Sequence, residues 1–456
     1  VLAGLYHPDA GELILDGEPV SFRSPSDALA AGVGMVYQHF RLVENLTVAE
    51  NLALGHPEQG FVLSKREIEI QAAELAERYN LPVDPSARIW QLSVGEQQRV
   101  EILKMLYRRA RILILDEPTA VLTPQESEAL FDTVRLLASE GKSIIIVSHK
   151  LNEIQAVTDR VTVLRDGKSV GTVNTADTDQ KGLAKMMVGR DLELPKRQSV
   201  SQPGNVVLQA AGLTVAGDRR DEAVADVSFE VREGEIVGIA GVSGNGQREL
   251  AEALAGLRVI KKGSVEIGGV PMVVGVLERI GSGLSYVPGD RLGRGLAPGL
   301  TIEENSALKD YRYPPFSKGP ILSTQAFSEH AQDLIERFDI RGVRQGLPIR
   351  LLSGGNLQKA LVAREVARDP KVLIAASPTR GLDVGATEAV RNLLLAQRDA
   401  GVGVLMISED LDEVMALSDR ILVMFDGRVV GEVSGDDARV EQIGLMMGGT
   451  ASEVTA

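Results

Sequence analysis

Residues 148–173 of this 456-residue chain return 260 positions later as 408–433, with 12 identities in 26 positions, where unrelated segments would share roughly two. Two further blocks keep that offset. Leu92-Ser93-Val94-Gly95 pairs with Leu352-Ser353-Gly354-Gly355, and Ile112-Leu113-Ile114-Leu115 with Val372-Leu373-Ile374-Ala375. Three blocks at one offset mean duplication, so the fold of one half must also serve the other. Between the halves, residues 192–205 carry Pro195, Lys196, Arg197 and a Ser/Gln/Pro run without apolar periodicity, which is linker chemistry. The expected division is a first domain over 1–191, a linker over 192–205 and a second domain over 206–456. Each half alternates short Val/Ile/Leu runs with helical patterns, which predicts an α/β domain on a mixed, mostly parallel sheet. Residues 47–110 and 300–370 read mostly helical, so each half is expected to carry a helical subdomain.

Composition removes several classes of function. A net charge of −14 leaves no broad basic face for nucleic acid, although a local phosphate site needs only helix N-termini and a few residues. The absence of cysteine excludes disulfides, thiol catalysis and cysteine-ligated zinc. No run approaches the ~18 consecutive apolar residues of a membrane span. The 47 glycines and 4% aromatics favour aliphatic cores joined by glycine-rich turns.

Those turns carry chemistry. Gly241-Val242-Ser243-Gly244-Asn245-Gly246-Gln247-Arg248 stands between the apolar run Ile236–Ala240 and a helical pattern from Glu249. Strand, glycine loop and helix is the geometry in which backbone N–H groups cradle phosphates; a tight strand-to-helix turn would show the same glycines. Gly241, Gly244 and Gly246 are therefore candidate cofactor-binding residues. The full phosphate motif ends in Lys-Ser/Thr, for the outer phosphates and Mg2+, and Gln247 and Arg248 hold those places here. In the first half, Val1-Leu2-Ala3-Gly4-Leu5 matches Ala253-Leu254-Ala255-Gly256-Leu257 at an offset of 252. That offset sets the first half's own glycine loop upstream of Val1, so the chain reads as beginning inside a domain and any targeting segment there is unreadable.

The strand Ile112–Leu115 runs into Asp116-Glu117-Pro118-Thr119. Carboxylates at the carboxyl end of a parallel strand face the crevice where α/β sheets bind ligands. Asp116 is placed to hold Mg2+ through water, and Glu117 to orient or deprotonate an attacking water. Ser93 and Glu96 form a Ser-x-x-Glu capping box at the start of a helical pattern. The same helix end, with Ser93 and Gly95, can present free N–H groups to a phosphate. Leu352-Ser353-Gly354-Gly355-Asn356 repeats the arrangement with less bulk. His149, after the strand Ser143–Val147, and Gln38, after the apolar Val33–Tyr37, would on their own pass for cap or loop residues.

Taken together, Gln38, Leu-Ser-Val-Gly-Glu-Gln-Gln at 92–98, Ile-Leu-Asp-Glu-Pro-Thr at 114–119 and Ser-His at 148–149 resemble the ATP-binding subunit of ABC transporters. The resemblance covers nearly the whole chain. It implies two tandem P-loop NTPase cassettes, like the double-cassette ATPases of bacterial sugar and nucleoside importers. His39-Phe40, Leu46-Thr47-Val48-Ala49-Glu50-Asn51 and Pro118-Thr119-Ala120-Val121-Leu122-Thr123-Pro124 look closest to the nucleoside (purine/simple-sugar) branch. Cassettes of this family pair head to tail, within the chain or between chains, each nucleotide lying between the phosphate loop of one and the Leu-Ser-Gly-Gly helix of the other. The resemblance implies ATP and Mg2+ as cofactors, Asp116 and Gln38 at the metal, Gln38 and His149 at the γ-phosphate and Glu117 on the water. Ser353, Gly354 and Gly355 would face that site, and Thr123 would lie where cassettes touch. It also implies integral-membrane permease subunits docking around residues 38–60 and 287–305, an extracytoplasmic solute-binding protein or lipoprotein, and a peripheral place on the cytoplasmic face of the membrane.

The second half departs from the pattern. Ala376 and Ser377 replace the Asp-Glu pair, Glu409 replaces the histidine, and the Val287-Pro288-Gly289-Asp290 turn has no glutamine. Loss of a positioned base alone costs about 10²–10⁴ in rate. The expectation is two unequal composite sites, one hydrolytic and one that binds nucleotide or only scaffolds. With its phosphate loop expected upstream of Val1, the chain as written is expected to hydrolyse ATP barely or not at all. The alternative, a soluble ABC ATPase acting on ribosomes or DNA, normally keeps both sites hydrolytic and a long charged linker between cassettes.

Overall fold

The computed structural model describes residues 1–37, 40–55, 64–119, 122, 124–148, 150–165, 167–190, 195–197, 203–218, 221–242, 244–272 and 275–449. It divides into two compact units, Val1–Asp191 and Leu192–Ala456.

The second unit is built on six strands in the order Leu284–Val287, Val372–Ala376, Gly403–Ser408, Ile236–Ala240, Arg420–Phe425 and Arg428–Ser434. The first five are parallel and the last is antiparallel. Its central strands are unbroken apolar runs because both faces are covered. Alternate residues feed two cores. Ile236, Leu373, Ala375, Val404, Met406, Ile421 and Val423 pack under helices. Val237, Ile239, Ile374, Leu405, Ile407 and Leu422 pack toward the helix Gln247–Leu254 and a four-stranded antiparallel sheet formed by Val270–Pro271, Ile260–Ile267, Val206–Val215 and Val224–Arg232. Helices Ile302–Ser306, Thr324–Arg337 and Gly354–Val366 make the expected helical layer. The stretch between the first two is not helical as the pattern over 300–370 predicted. It is a series of turns and a short hairpin, Ser317–Lys318 with Ile321–Leu322, entered through Pro314-Pro315. Proline lacks the N–H a helix needs there.

The first unit repeats the parts it shares. Val33–Val36, Ile112–Asp116 and Ser143–Val147 form a parallel sheet, and Arg160–Arg165 pairs antiparallel with Lys168–Asn174. Helices Val48–Ala53, Lys65–Arg78, Val94–Tyr107 and Pro124–Ser139 pack around it. In the second unit Ile236–Ala240 bridges the corresponding sheet and ladder; among the described residues of the first unit no strand does so, and Ile145 and Val147 are exposed.

Within residues 192–205, Arg197 belongs firmly to the second unit. Its N–H donates to the Ala416 carbonyl at 2.9 Å, and its guanidinium pairs with Asp436 and Asp419. Among the described residues, no helix is long and apolar enough to cross a membrane.

Candidate functional site

In the first unit, the strand Ile112–Asp116 delivers Asp116 half-buried at its carboxyl end. Burial first, and the adjacent Glu117 carboxylate second, raise the pKa of Asp116 above the ordinary aspartate value. Two adjacent carboxylates, one already resisting ionisation, are chemistry that a cation relieves. Among the described residues no group of three or more His, Asp or Glu side chains could hold a metal. A divalent ion at Asp116 would take its further oxygens from outside such a cluster.

Glu117 has φ of 49°, the left-handed region that costs a non-glycine residue about 1–3 kcal/mol. The turn is held on both sides. Glu117 N–H donates to the Val147 carbonyl at 2.8 Å, and Gln98 Nε2 donates to the Pro118 carbonyl. Gln98 is buried on the helix Val94–Tyr107, whose N-cap is Ser93. The Ser93–Glu96 capping box read from the sequence is present, with Ser93 N–H to Glu96 Oε2 at 2.8 Å and Glu96 N–H to Ser93 Oγ at 3.3 Å. A Cβ on Gly95 would displace the Glu126 carboxylate.

Sequence reasoning missed the group that joins this turn to the next loop. The buried Glu153 carboxylate accepts from the Thr119 hydroxyl and from Ser148 Oγ at 3.4 Å, and pairs with Lys150 at 3.1 Å. Ser148 in turn accepts from the Lys150 N–H at 3.0 Å. The signal was available: Thr379, Ser408 and Glu413 occupy the positions 260 further on, and Glu413 bonds both Ser408, at 2.7 Å, and Thr379. Gln38, His149 and Thr123 lie outside the described residues.

In the second unit, Ile236–Ala240 enters the glycine loop as expected, and the helix that follows begins at Gln247, two residues before the pattern from Glu249. Gly244 and Gly246 have φ of 91° and 96°, and a Cβ on Gly246 would overlap the Ala223 carbonyl oxygen. A Cβ on Gly241 would overlap the Gln247 amide and stand 2.7 Å from the Met424 carbonyl. The side chains at the lysine and Ser/Thr places are engaged by the protein itself. Gln247 Nε2 donates to the Val242 carbonyl at 3.1 Å, and Arg248 pairs with Asp218 and Glu249, each at 2.6 Å. Ser377 adopts the strained geometry of Glu117, with φ of 44° and its N–H on the Ile407 carbonyl at 2.6 Å. The fold thus imposes the turn whether or not a carboxylate sits on it. Ser353 caps the helix Gly354–Val366 without a side-chain cap bond; its hydroxyl accepts from Asn356 Nδ2 at 2.9 Å. A Cβ on Gly355 would stand 2.8 Å from Ala386 Cβ.

A glycine loop between a parallel strand and a helix in the second unit, paired carboxylates at a parallel strand's end in the first, and a capped signature helix in each are the parts of nucleotide-binding cassettes. The family model described as ABC transporter matches residues 1–120 and 224–380, and the chain belongs to that family. Relatives extend the match over the full chain. It is 47% identical to the glucose import ATP-binding protein TsgD13 of Haloferax volcanii, over 100% of this chain and 89% of the relative. It is 45% identical to the nucleoside import ATP-binding protein NupA of Lactococcus lactis, over 99% and 90%. It is also 45% identical to the guanosine import ATP-binding protein NupO of Bacillus subtilis, over 99% and 89%.

Proposed function

We propose that this chain is the ATP-hydrolysing subunit of an importer for a small polar solute, a nucleoside or simple sugar. Its first cassette supplies the hydrolytic groups, and Ser353, Gly354 and Gly355 of a second cassette, in the same chain or in a second copy, face the same nucleotide. The observation that carries this reading is the asymmetry at one repeated turn. Asp116-Glu117 occupies it in the first cassette and Ala376-Ser377 in the second, on the same left-handed backbone. Glu117 orients the attacking water and takes up its proton, while Gln38 and His149 contact the γ-phosphate. Mg2+ would be held by Asp116 and Gln38 and supplies charge neutralisation at the β- and γ-phosphates. The glycine loop of the second cassette binds nucleotide without splitting it, or serves only as scaffold.

Work done by such a subunit is limited to the difference in nucleotide affinity between its open and closed states. That difference is delivered to integral-membrane permease subunits on the cytoplasmic face, which receive solute from an extracytoplasmic binding protein or lipoprotein. The import named in all three relatives favours this over an ATPase acting on ribosomes or DNA. The test uses the protein as its own gene encodes it, reconstituted with its permease. Glu117→Gln should lower ATP turnover by about 10²–10⁴ while ATP still binds, and Ser377→Ala should leave turnover within about twofold. Comparable losses from both changes would refute the asymmetric assignment.

A further inference from the structure

Three elements of the second unit meet at one guanidinium. Arg291 follows the Val287-Pro288-Gly289-Asp290 turn; its Nε donates to Gln358 Oε1 at 2.7 Å and its Nη2 donates to the Arg380 carbonyl. Its Nη1 lies 3.4 Å from where a Cβ of Gly354 would stand. Gln358 sits one turn into the helix Gly354–Val366, and Arg380 lies in the loop after Ser377. The turn, the signature helix end and the post-strand loop are thus joined through a single side chain.

The first unit makes the same helix-to-loop tie without an arginine, by donating Gln98 Nε2 directly to the Pro118 carbonyl, and carries Val94 where the second has Gly354. In the second unit the matching glutamine presents its oxygen to Arg291, and its buried Nε2 has no acceptor. A buried amide donor without a partner is costly, so the orientation of Gln358 is set by the guanidinium. A planar fork holds an amide oxygen and a backbone carbonyl in fixed relative directions; an ammonium carries three donors on one rotatable atom and fixes neither direction.

We infer that Arg291 is a positioning residue that makes the 288–291 turn, Ser353-Gly354-Gly355 and the loop after Ser377 move as one piece. A push on the turn then shifts the signature glycines directly. The identity of the nucleotide served rests on the function proposed above; the tie itself does not.

Arg291→Ala and Arg291→Lys are made in the gene-encoded protein. Hydrogen exchange over 353–358 and 378–382 is followed without nucleotide, with exchange of Val372–Ala376 as the measure of folding. ATP hydrolysis and solute uptake are then read with the permease. Both variants should speed exchange in the two segments about tenfold and raise KM for ATP by a similar factor, since two charge-assisted hydrogen bonds are lost. kcat should stay within about twofold, and solute moved per ATP should fall. Unchanged exchange in a folded variant, or Arg291→Lys matching wild type in KM and coupling, would overturn the inference. If Arg291→Ala does not fold, the lysine variant decides. A wild type that hydrolyses no ATP with its permease refutes the proposed function and leaves the exchange result to judge the tie.

Discussion

Glu365 gives the sharpest stability prediction. It is fully buried on the helix that begins at Gly354, and its carboxylate pairs with Lys309 and accepts from Arg364 Nη2 at 2.8 Å and Nε at 3.0 Å and from the Tyr286 N–H at 3.2 Å. Burial, the largest single influence, pushes its pKa up, but the two cations together hold it below the usual glutamate value. Glu365→Gln keeps the volume and removes the charge, stranding two cations. Breaking a buried pair in this way costs about 3–5 kcal/mol, a factor on the order of a hundred to several thousand in the unfolding equilibrium. Because the chain has two units, one global transition is the wrong readout. The single tryptophan, Trp90, lies in the first unit, so its urea transition should be unchanged. Exchange protection of the second-unit strand Val372–Ala376 should fall by the stated factor. Adding Lys309→Met to Glu365→Gln should recover part of the loss. A drop below about 1 kcal/mol, or no recovery in the double variant, would refute the argument that the carboxylate compensates buried charge.

Three further outcomes are expected. Gly246→Ala should destabilise the second unit by more than the roughly 1 kcal/mol that a left-handed residue alone costs, because its methyl meets the Ala223 carbonyl; denaturant melts of that unit measure it. Thr119→Val should cost the first unit about 1.5–3 kcal/mol, the worth of a hydrogen bond to a buried carboxylate, and lower ATP turnover more than ATP binding. Burial raises the Glu413 pKa above its ordinary 4.5. Its stabilising effect is thus fully present below pH 4.5 and lost as pH rises through the raised value. Glu413→Gln should remove that slope from the second unit's pH–stability curve, and an identical slope in the variant would count against the assignment.

Much of this was legible in the sequence because it is local or periodic. Apolar runs gave the strands, a Ser-x-x-Glu spacing gave the cap at Ser93, and three glycines at fixed spacing marked the loop whose left-handed turns and close approaches only glycine tolerates. What stayed hidden depends on contacts distant in the chain. Glu153 meets Thr119 across 34 positions and Arg291 meets Gln358 across 67, and no spacing rule reaches that far. The strain at Glu117 was invisible because it comes from the neighbouring strand's Val147 carbonyl, not from the residue's own preference. The departure from helix over part of 300–370 was available in Pro314-Pro315 but was outweighed by the surrounding pattern.

The persistence of Thr379, Ser408 and Glu413 without carboxylates at 376 and 377 gives this protein a built-in control experiment. On the function proposed above, one copy shows what the architecture demands when nothing has to be cleaved, and the other shows what cleavage adds. Subtracting the first from the second isolates the reactive groups without a single mutation. An engineer placing Asp-Glu at 376 and 377 therefore inherits the left-handed turn and the Thr379, Ser408 and Glu413 brace ready-made.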